Sequence, residues 1–363
     1  MAYSSKYLSR LVSKQHKLRT KKVLHINPTV APLRTEPDEV RISRYEYDED
    51  HCHNQIFGNV KSLVKVPANG IKWINVDGIK KEVVEEIAKH FDIHPLITED
   101  ILSVGQRPKM DELNHLLFCI LNMLNFNEAL CTVETEQISI ILGKDFVISF
   151  QEDASRDAFN PLREKLNQPA SKVRLNKADF LFYLMMDAVV DRYFVVMDQL
   201  GSHIENLEDD IVHNPNKRTL ARINAVRKEL IVLKRNVFPV RELISGILKS
   251  ESTLIEERTE KYFKDIYDHI LQANDLAENY HDMMMNLQDL YMSNVNLKQN
   301  EVMKLMAIVT CLLAPATVIS GIFGMNFNLI PLLHSQWGFF ISVSIMLIIP
   351  LFMIIIFKRR GWF

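Results

Sequence analysis

The stretch MKLMAIVTCLLAPATVISGIFGMN, Met303 to Asn326, decides how the rest of the chain is read. Its only charge is Lys304, near the start. A run of this length crosses a bilayer core of ~30 Å at ~1.5 Å per residue, and as a helix it satisfies its own backbone polar groups. A second apolar run, Trp337 to Phe357, follows a short loop and is closed by Lys358, Arg359 and Arg360. Upstream, from about Leu254 to Ile322, the helix breakers are Pro315 and Gly321, so the charged 260s to 290s read as a helical stalk feeding the first span. Two adjacent runs of this length are a poor match for the buried helices of a soluble protein. The chain acts at a membrane.

Charge sets the expected orientation. Lys298 and Lys304 stand where the first span begins, Lys358 to Arg360 where the second ends, and the loop from Phe323 to Gln336 has neither Lys nor Arg. Basic flanks stay in the cytoplasm. The expectation is a multi-pass protein of the inner (plasma) membrane with both termini cytoplasmic, and Trp337 and Trp362 suit the interfacial belts. The expected division is a basic tail over 1–39, a cytoplasmic α/β domain with a helical hairpin over 40–250 and a stalk helix over 251–302. Transmembrane helix 1 follows over 303–322, an outer loop over 323–336, transmembrane helix 2 over 337–357 and a basic tail over 358–363.

Composition narrows the function further. A net charge of −2 over 363 residues shows no general preference for nucleic acid. The charge is uneven: Lys6, Arg10, Lys14, Lys17, Arg19, Lys21 and Lys22 precede the first acidic residue, Glu36. Such a tail suits a disordered segment lying on anionic lipid. A basic, acid-free start also resembles a mitochondrial transit peptide, against which stands its excess of Lys over Arg. Cys52, Cys119, Cys131 and Cys311 are scattered, one of them at membrane depth, and indicate no disulfide framework. His51-Cys52-His53 has metal-binding residue types, but neighbours on a strand face opposite ways, and a structural role is favoured.

The soluble part alternates short β-rich runs with helices. Strands are expected at Ile71 to Val76, Leu116 to Asn122, Ile138 to Leu142 and Phe146 to Phe150, the last two joined by Gly143-Lys144-Asp145. Glu82 to Phe91 has amphipathic spacing, with Val83, Val84, Ile87, Ala88 and Phe91 on one side; His94-Pro95 ends it, and Leu96 to Leu102 starts another helix. Two long helices follow, Ala178 to Val212 and Thr219 to Leu248, turning at Asn214-Pro215-Asn216. The first is acidic late (Glu205, Glu208, Asp209, Asp210), and the second carries Arg222, Arg227, Lys228, Lys234 and Arg235. That distribution suits either a hairpin packed by charge or two separately solvated faces. No Walker loop, dinucleotide-binding glycine pattern or Ser/His/Asp constellation is present, and with 11 glycines in the chain a phosphate-cradling loop is not expected. An enzyme is therefore not the expectation.

In the stalk, aspartates recur every seven residues at Asp268, Asp275, Asp282 and Asp289, and the register continues through Asn296, Met303, Thr310, Thr317 and Gly324. Positions seven apart lie on nearly one face, because two helical turns take ~7.2 residues. Polar groups at membrane depth face other helices or water. Ordinary helix packing uses such residues too, but continuity with the aspartate line favours a water-filled axis. Two spans cannot enclose a pore, so a channel requires several copies, with the first span innermost. The aspartates would then form stacked acidic rings that gather cations and repel one another without them.

Gly324-Met325-Asn326 directly after a first span, with a second span and a basic-aromatic tail, resembles the CorA family of magnesium and cobalt channels. Asn300-Glu301-Val302-Met303-Lys304, Pro315, Thr317, Gly321 and Phe323 to Phe327 resemble its pore helix. His94-Pro95-Leu96, Glu99 to Leu102 and Gln106-Arg107-Pro108-Lys109 resemble its cytoplasmic domain, and Arg227 to Leu230 with Pro239-Val240-Arg241 its helical hairpin. The likeness covers roughly residues 40 to 363. It implies an α+β cytoplasmic domain, a long stalk helix and two C-terminal transmembrane helices, assembled as a homopentamer in the lipid bilayer. It also implies that Gly324, Met325 and Asn326 form the selectivity filter, with Asn326 and Asn300 binding ion. Asp289 would stand at the cytoplasmic mouth, and Asn296, Asn300, Met303, Met306, Thr310, Ala314, Thr317 and Gly321 along the pore, Met303 and Met306 being the constriction. Asp100 and Asp265 would be the paired carboxylates between subunits where regulatory Mg2+ holds the channel shut.

Mg2+ gives up its water reluctantly, so neutral amide and carbonyl oxygens that bond its hydration shell suit a filter better than carboxylates. The expected cargo is Mg2+, with Co2+ and Ni2+ as further candidates, moving down the electrochemical gradient. Met325 argues for magnesium over the zinc-favouring relatives, which differ at the middle of the triplet. Two departures stand out: the loop from Asn328 to Gln336 has no acidic residue where many relatives carry one, and Ala314 is smaller than usual. The rivals are a zinc or other transition-metal transporter of the same superfamily and a membrane-anchored interaction protein that tolerates Asn326→Ala.

Overall fold

The computed structural model describes residues 36–362 apart from 38, 66–69, 114, 154–157, 214, 326–330 and 333–334. The basic tail, Asn326, the first residue of the Asn214-Pro215-Asn216 turn and much of the outer loop thus lie outside the described residues. The chain divides into two compact units, one holding everything up to Asp209 together with Arg218–Leu287, the other Asp210–Lys217 together with Gln288 onward.

The first unit is built on a seven-stranded sheet in the order β2-β1-β3-β7-β6-β5-β4. Its strands are β1 (Arg41–Tyr47), β2 (Cys52–Phe57), β3 (Ile71–Asp77), β4 (Lys109–Leu113), β5 (Leu116–Asn127), β6 (Thr132–Leu142) and β7 (Phe146–Gln151). All neighbours pair antiparallel except β3 and β7, which run parallel in the middle. The four expected strands are present, and β5 and β6 are longer than expected, paired from Leu117↔Leu142 to Asn127↔Thr132. The expectation missed β1, β2 and β4. Their sequences, RISRYEY, CHNQIF and KMDEL, are too polar for an apolar-run reading. Two of them, β2 and β4, are sheet edges, where one side of the strand has no neighbour to bury it.

Arg44 shows how β1 keeps its polarity inside. Its guanidinium donates to the Leu63 carbonyl at 3.2 Å, pairs with Glu46 at 3.3 Å and lies over the Phe57 ring. A buried charge held this way is both paired and hydrogen-bonded, which is the condition for burying it at all.

Helices cover both faces. After α1 (Val60–Lys65), α2 (Lys81–His90) and α3 (Pro95–Leu102) pack Val84, Ile87, Ile97 and Ile101 against Ile74, Val76, Phe118, Ile120, Ile148 and Phe150. Pro95 opens α3 and His94 caps it, Nδ1 accepting from Leu96 N–H at 3.2 Å. On the other face α4 (Asn160–Asn167) brings Arg163 over Trp73, whose indole N–H donates to Ser149 Oγ at 2.9 Å.

Three long helices complete the chain before the last span: α5 (Ala178–His213), α6 (Lys217–Lys249) and α7 (Glu257–Phe323). Residues 254 to 256 are not helical, correcting the expected start: Asp179 Oδ2 accepts from Glu256 N–H at 3.0 Å just ahead of α7. The early part of α7 buries Phe263, Ile266, Ile270, Ala273 and Ala277, with Phe182 and Phe263 in ring contact. Lys234 of α6 pairs with Glu278 of α7 at 2.8 Å, so this basic residue serves the third helix rather than the acidic end of α5.

In the second unit α7 continues through Pro315 to Phe323, and α8 spans Gly338–Arg359. Tyr291 donates to Asn216 O at 3.3 Å and Asn294 to Ile211 O at 3.2 Å. Both α7 and α8 contain a stretch long and apolar enough to span a membrane, and almost none of it is buried. Lys304 Nζ lies 3.3 Å from Gly361 O, so the span of α7 begins at the end of the unit where α8 finishes.

Candidate functional site

The sevenfold line of α7 has a definite place on its helix. In the first unit Asp268, Asp275 and Asp282 are all exposed, while Phe263, Ile266, Ile270, Ala273, Ala277, Met284 and Leu287 are buried. At ~100° per residue these two sets lie on opposite sides of the helix. The aspartates therefore occupy the face that packing leaves open. In the second unit Asp289, Asn296, Met303, Thr310, Thr317 and Gly324 continue the line, all exposed, with Tyr291 buried opposite.

At membrane depth exposure alone no longer selects a face. Met303 and Met306 are each 62 % exposed, but so is Leu305. What distinguishes the line there is chemistry. Asn296, Asn300, Met303, Met306, Thr310, Ala314, Thr317 and Gly321 follow steps of three and four along one side. The hydroxyls of Thr310 and Thr317 donate to their own helix, to Met306 O at 2.8 Å and Leu313 O at 3.0 Å. Pro315 has no N–H, so the carbonyl of Cys311, four residues earlier, lacks its usual intrahelical donor.

The helix closes at the Gly-Met pair. Gly324 N–H donates to Ser320 O at 3.0 Å and Met325 N–H to Ile322 O at 3.2 Å. A side-chain carbon on Gly324 would stand 3.2 Å from the Ser320 carbonyl, a tight approach that glycine avoids. Asn326, the expected third member of the filter, lies outside the described residues.

The two expected regulatory carboxylates sit on different elements of the first unit. Asp265, on α7, is exposed. Around it sequence reasoning missed three groups: Asp187 and Asp191 on α5, and His269 one turn along α7. Burial first, then Asp191, pushes the Asp187 carboxyl above the usual range; His269 opposes this and Asp265 adds to it. The missed signal was a pair of i,i+4 spacings, Asp187/Asp191 and Asp265/His269, on two helices that pack together.

Asp100 is held quite differently. Its side chain, 18 % exposed, is fixed on both oxygens: Gln106 Nε2 donates to Oδ1 at 2.7 Å and Lys109 Nζ donates to Oδ2 at 2.5 Å. Lys109 Nζ is also 3.3 Å from Asp111 Oδ2, two residues along the same face of β4. Burial disfavours the Lys109 charge, but the hydrogen bond to Asp100 and the fields of Asp100 and Asp111 outweigh it and raise its pKa. The loop between α3 and β4 is strapped as well. Gln137 Oε1 accepts from the N–H groups of Gly105 and Gln106, at 2.9 and 3.1 Å, while Asn122 Nδ2 donates to Gln106 O at 3.0 Å.

Among the described residues no group of three or more His, Cys, Asp or Glu side chains is gathered closely enough within one chain to hold a metal ion. His51 and His53 of the early sequence motif are exposed on the edge strand side, with rings 6.3 Å apart. All four cysteines are free thiols.

A mixed α/β head followed by two helices, the long α7 and α8, whose apolar stretches find no cover among the described residues, defines a membrane protein with a soluble domain and two C-terminal spans. The chain belongs to the CorA-like Mg2+ transporter family, whose model matches residues 68–359. It is 38 % identical over 291 residues to the cobalt/magnesium transport protein CorA of Thermotoga maritima, covering 80 % of this chain and 83 % of that one. The complete structure of the CorA magnesium transporter from Methanocaldococcus jannaschii superposes with a TM-score of 0.74 at 21 % identity, over 91 % of this chain and all of that one. The ZntB cytoplasmic domain from Vibrio parahaemolyticus has the same fold, with a TM-score of 0.56 at 18 % identity over 71 % of this chain and 99 % of that one.

Proposed function

We propose that this chain is the subunit of a homopentameric channel carrying Mg2+, and Co2+ as a second substrate, across the cytoplasmic (plasma) membrane into the cell. The observation that carries the reading is the aspartate line, left open on the side of α7 opposite its packed stripe and continued in register by Asn296, Thr310 and Thr317. Membership of the family supports the ion class. Five copies arranged with this face inward would stack the aspartates into rings at the inner mouth and the hydroxyls deeper in.

In this reading the residues of the line divide the work by charge. Asp289 gathers hydrated cations by its field; Asn300 and the Gly324-Met325-Asn326 motif offer neutral oxygens that bond a hydration shell without stripping it. Met303 and Met306 narrow the route with apolar side chains that disfavour water when close together. An inside-negative potential supplies ~2.3 kcal/mol per charge per 100 mV, enough to drive a divalent ion inward without a nucleotide.

Regulation falls to Asp100 and Asp265 of adjacent subunits. Both offer hard oxygen donors of the kind Mg2+ prefers, and Asp187 beside Asp265 adds to the negative field there. A bound divalent charge between subunits offsets the repulsion of these carboxylates. As internal Mg2+ falls, the bridge between subunits is lost and the closed arrangement loses its hold.

The test is Mg2+ entry into proteoliposomes under an inside-negative potential, wild type against Asn326→Ala, each checked for assembly. Entry in wild type and its loss in the variant support conduction past the Gly-Met-Asn motif. No entry in either, from folded protein freed of internal Mg2+, would sink the channel reading in favour of an anchored interaction protein. Replacing Mg2+ by Zn2+ or Ni2+ in the same vesicles separates this reading from transition-metal transport.

A further inference from the structure

Within one subunit the carboxylate of Asp100 already has a cation. Lys109 Nζ donates to one oxygen and Gln106 Nε2 to the other, so no oxygen of this group is idle. The ammonium is not a loose surface partner. It projects from the first residue of β4, which pairs with Ile120 in the sheet, and the loop before it is strapped by Gln137 and Asn122. It also has a second carboxylate within reach, Asp111, at 3.3 Å.

These contacts bear on any ion that Asp100 is to hold. A metal arriving at Asp100 must displace the ammonium or share the carboxylate with it, and sharing sets two positive charges side by side. Asp111 offers the displaced ammonium a place to stay, so the exchange leaves no charge stranded. A compact, strongly hydrated point charge such as an ammonium can make this short move.

We propose that Lys109 is a tethered competitor for Asp100 and sets how much Mg2+ the regulatory site requires. The inference rests on the reading that Asp100 takes part in that site. With Lys109 in place the site ignores low Mg2+, because its carboxylate is neutralised from within; only when Mg2+ outcompetes the ammonium do the subunits lock. Asp111 tunes the threshold by holding the ammonium partly away from Asp100.

The experiment uses full-length protein in detergent and the Mg2+ concentration giving half-maximal protection from trypsin, a readout independent of transport. Lys109→Met keeps the side-chain stem and removes the charge; its midpoint should fall about threefold to tenfold, the scale of losing one partly exposed charge contact. Asp111→Asn, which commits the ammonium to Asp100, should raise the midpoint, and it serves if Lys109→Met proves unstable. Lys109→Arg keeps the competing charge and should not lower it. Asp100→Asn is the control on the underlying reading. If Asp100→Asn weakens protection while Lys109→Met leaves the midpoint unchanged or raised, the competitor is refuted and the regulatory site stands. If Asp100→Asn leaves protection as in wild type, the regulatory reading fails and the inference with it.

Discussion

The sheet of the head and the two C-terminal helices are both rich in apolar side chains, and they dispose of them in opposite ways. In β5 and β6 long runs such as Leu116 to Leu124 are buried on both faces, covered by helices of the same chain. In α8, Phe339, Phe340, Leu347, Ile348, Leu351 and Phe352 all stay open. The same hydrophobic surface is thus answered once by the chain itself and once by what surrounds it. Exposure has no fixed meaning until the solvent is known. A leucine open to water costs stability, whereas one open to hydrocarbon is already at home.

Substitutions can break this comparison or sharpen it. The largest effect is expected in the head. Phe118→Ala empties a fully buried position between the sheet and α3, and should cost about 3–5 kcal/mol, read as a loss of thermal stability in detergent. An unchanged melting temperature would mean that the head does not carry the stability of the chain.

Next come two residues of similar exposure in different surroundings. Leu347 of α8 is 69 % exposed and Ile56 of β2 is 60 % exposed. Leu347→Asp should oppose membrane insertion by about 3 kcal/mol, reducing the yield in the membrane fraction. Ile56→Asp should change stability by about 0.5 kcal/mol or less, because its present surroundings are water. Equal tolerance at both sites would contradict the membrane assignment of α8.

Glu136 supplies a smaller effect with a sign set by pH. It is 6 % exposed, with Oε1 accepting from Glu152 and Asp153 N–H and Oε2 without a partner among the described residues. Burial first, together with the charges of Glu152 and Asp153, pushes its pKa from 4.5 up to about 7, against the pull of the two backbone hydrogen bonds. The fold therefore favours the protonated acid. The stability this contributes is full below the unfolded pKa and is lost as pH rises through about 7, a swing of roughly 3 kcal/mol. Glu136→Gln keeps the accepting oxygen and cannot ionise. Its melting temperature should match wild type at pH 4 and exceed it at pH 8; parallel curves for the two proteins would discount the effect.

Legibility in the sequence followed this same division. The spans, the stalk and the central strands announce themselves because one residue class repeats over many positions: Leu116 to Leu121 for a buried strand, Asp268 to Asp289 for an open helix face. The polar strands β1, β2 and β4 did not: in β1, Arg44 or Glu46 reads as polar loop until Phe57 and Leu63 O arrive from elsewhere in the chain to receive the guanidinium. The sevenfold line was visible because it is a property of one helix. The Asp100–Lys109 pair was not: nine residues apart across a helix end and a turn, their meeting depends on the loop straps from Gln137 and Asn122. The sequence offered both residues within one family-like motif but no reason to pair them.

The hydroxyls of Thr310 and Thr317 spend their hydrogens on Met306 O and Leu313 O. Each oxygen keeps lone pairs to turn outward and has no donor left over. If these residues line the proposed pore, that wall is proton-silent: it can neither take up nor release a proton across the physiological range, so its polarity is the same in acid and in base. Water or a hydrated cation passing along it would meet acceptors of fixed strength. Acid sensitivity of transport, if measured, would then have to enter elsewhere in the chain, through its carboxylates or through histidines such as His269.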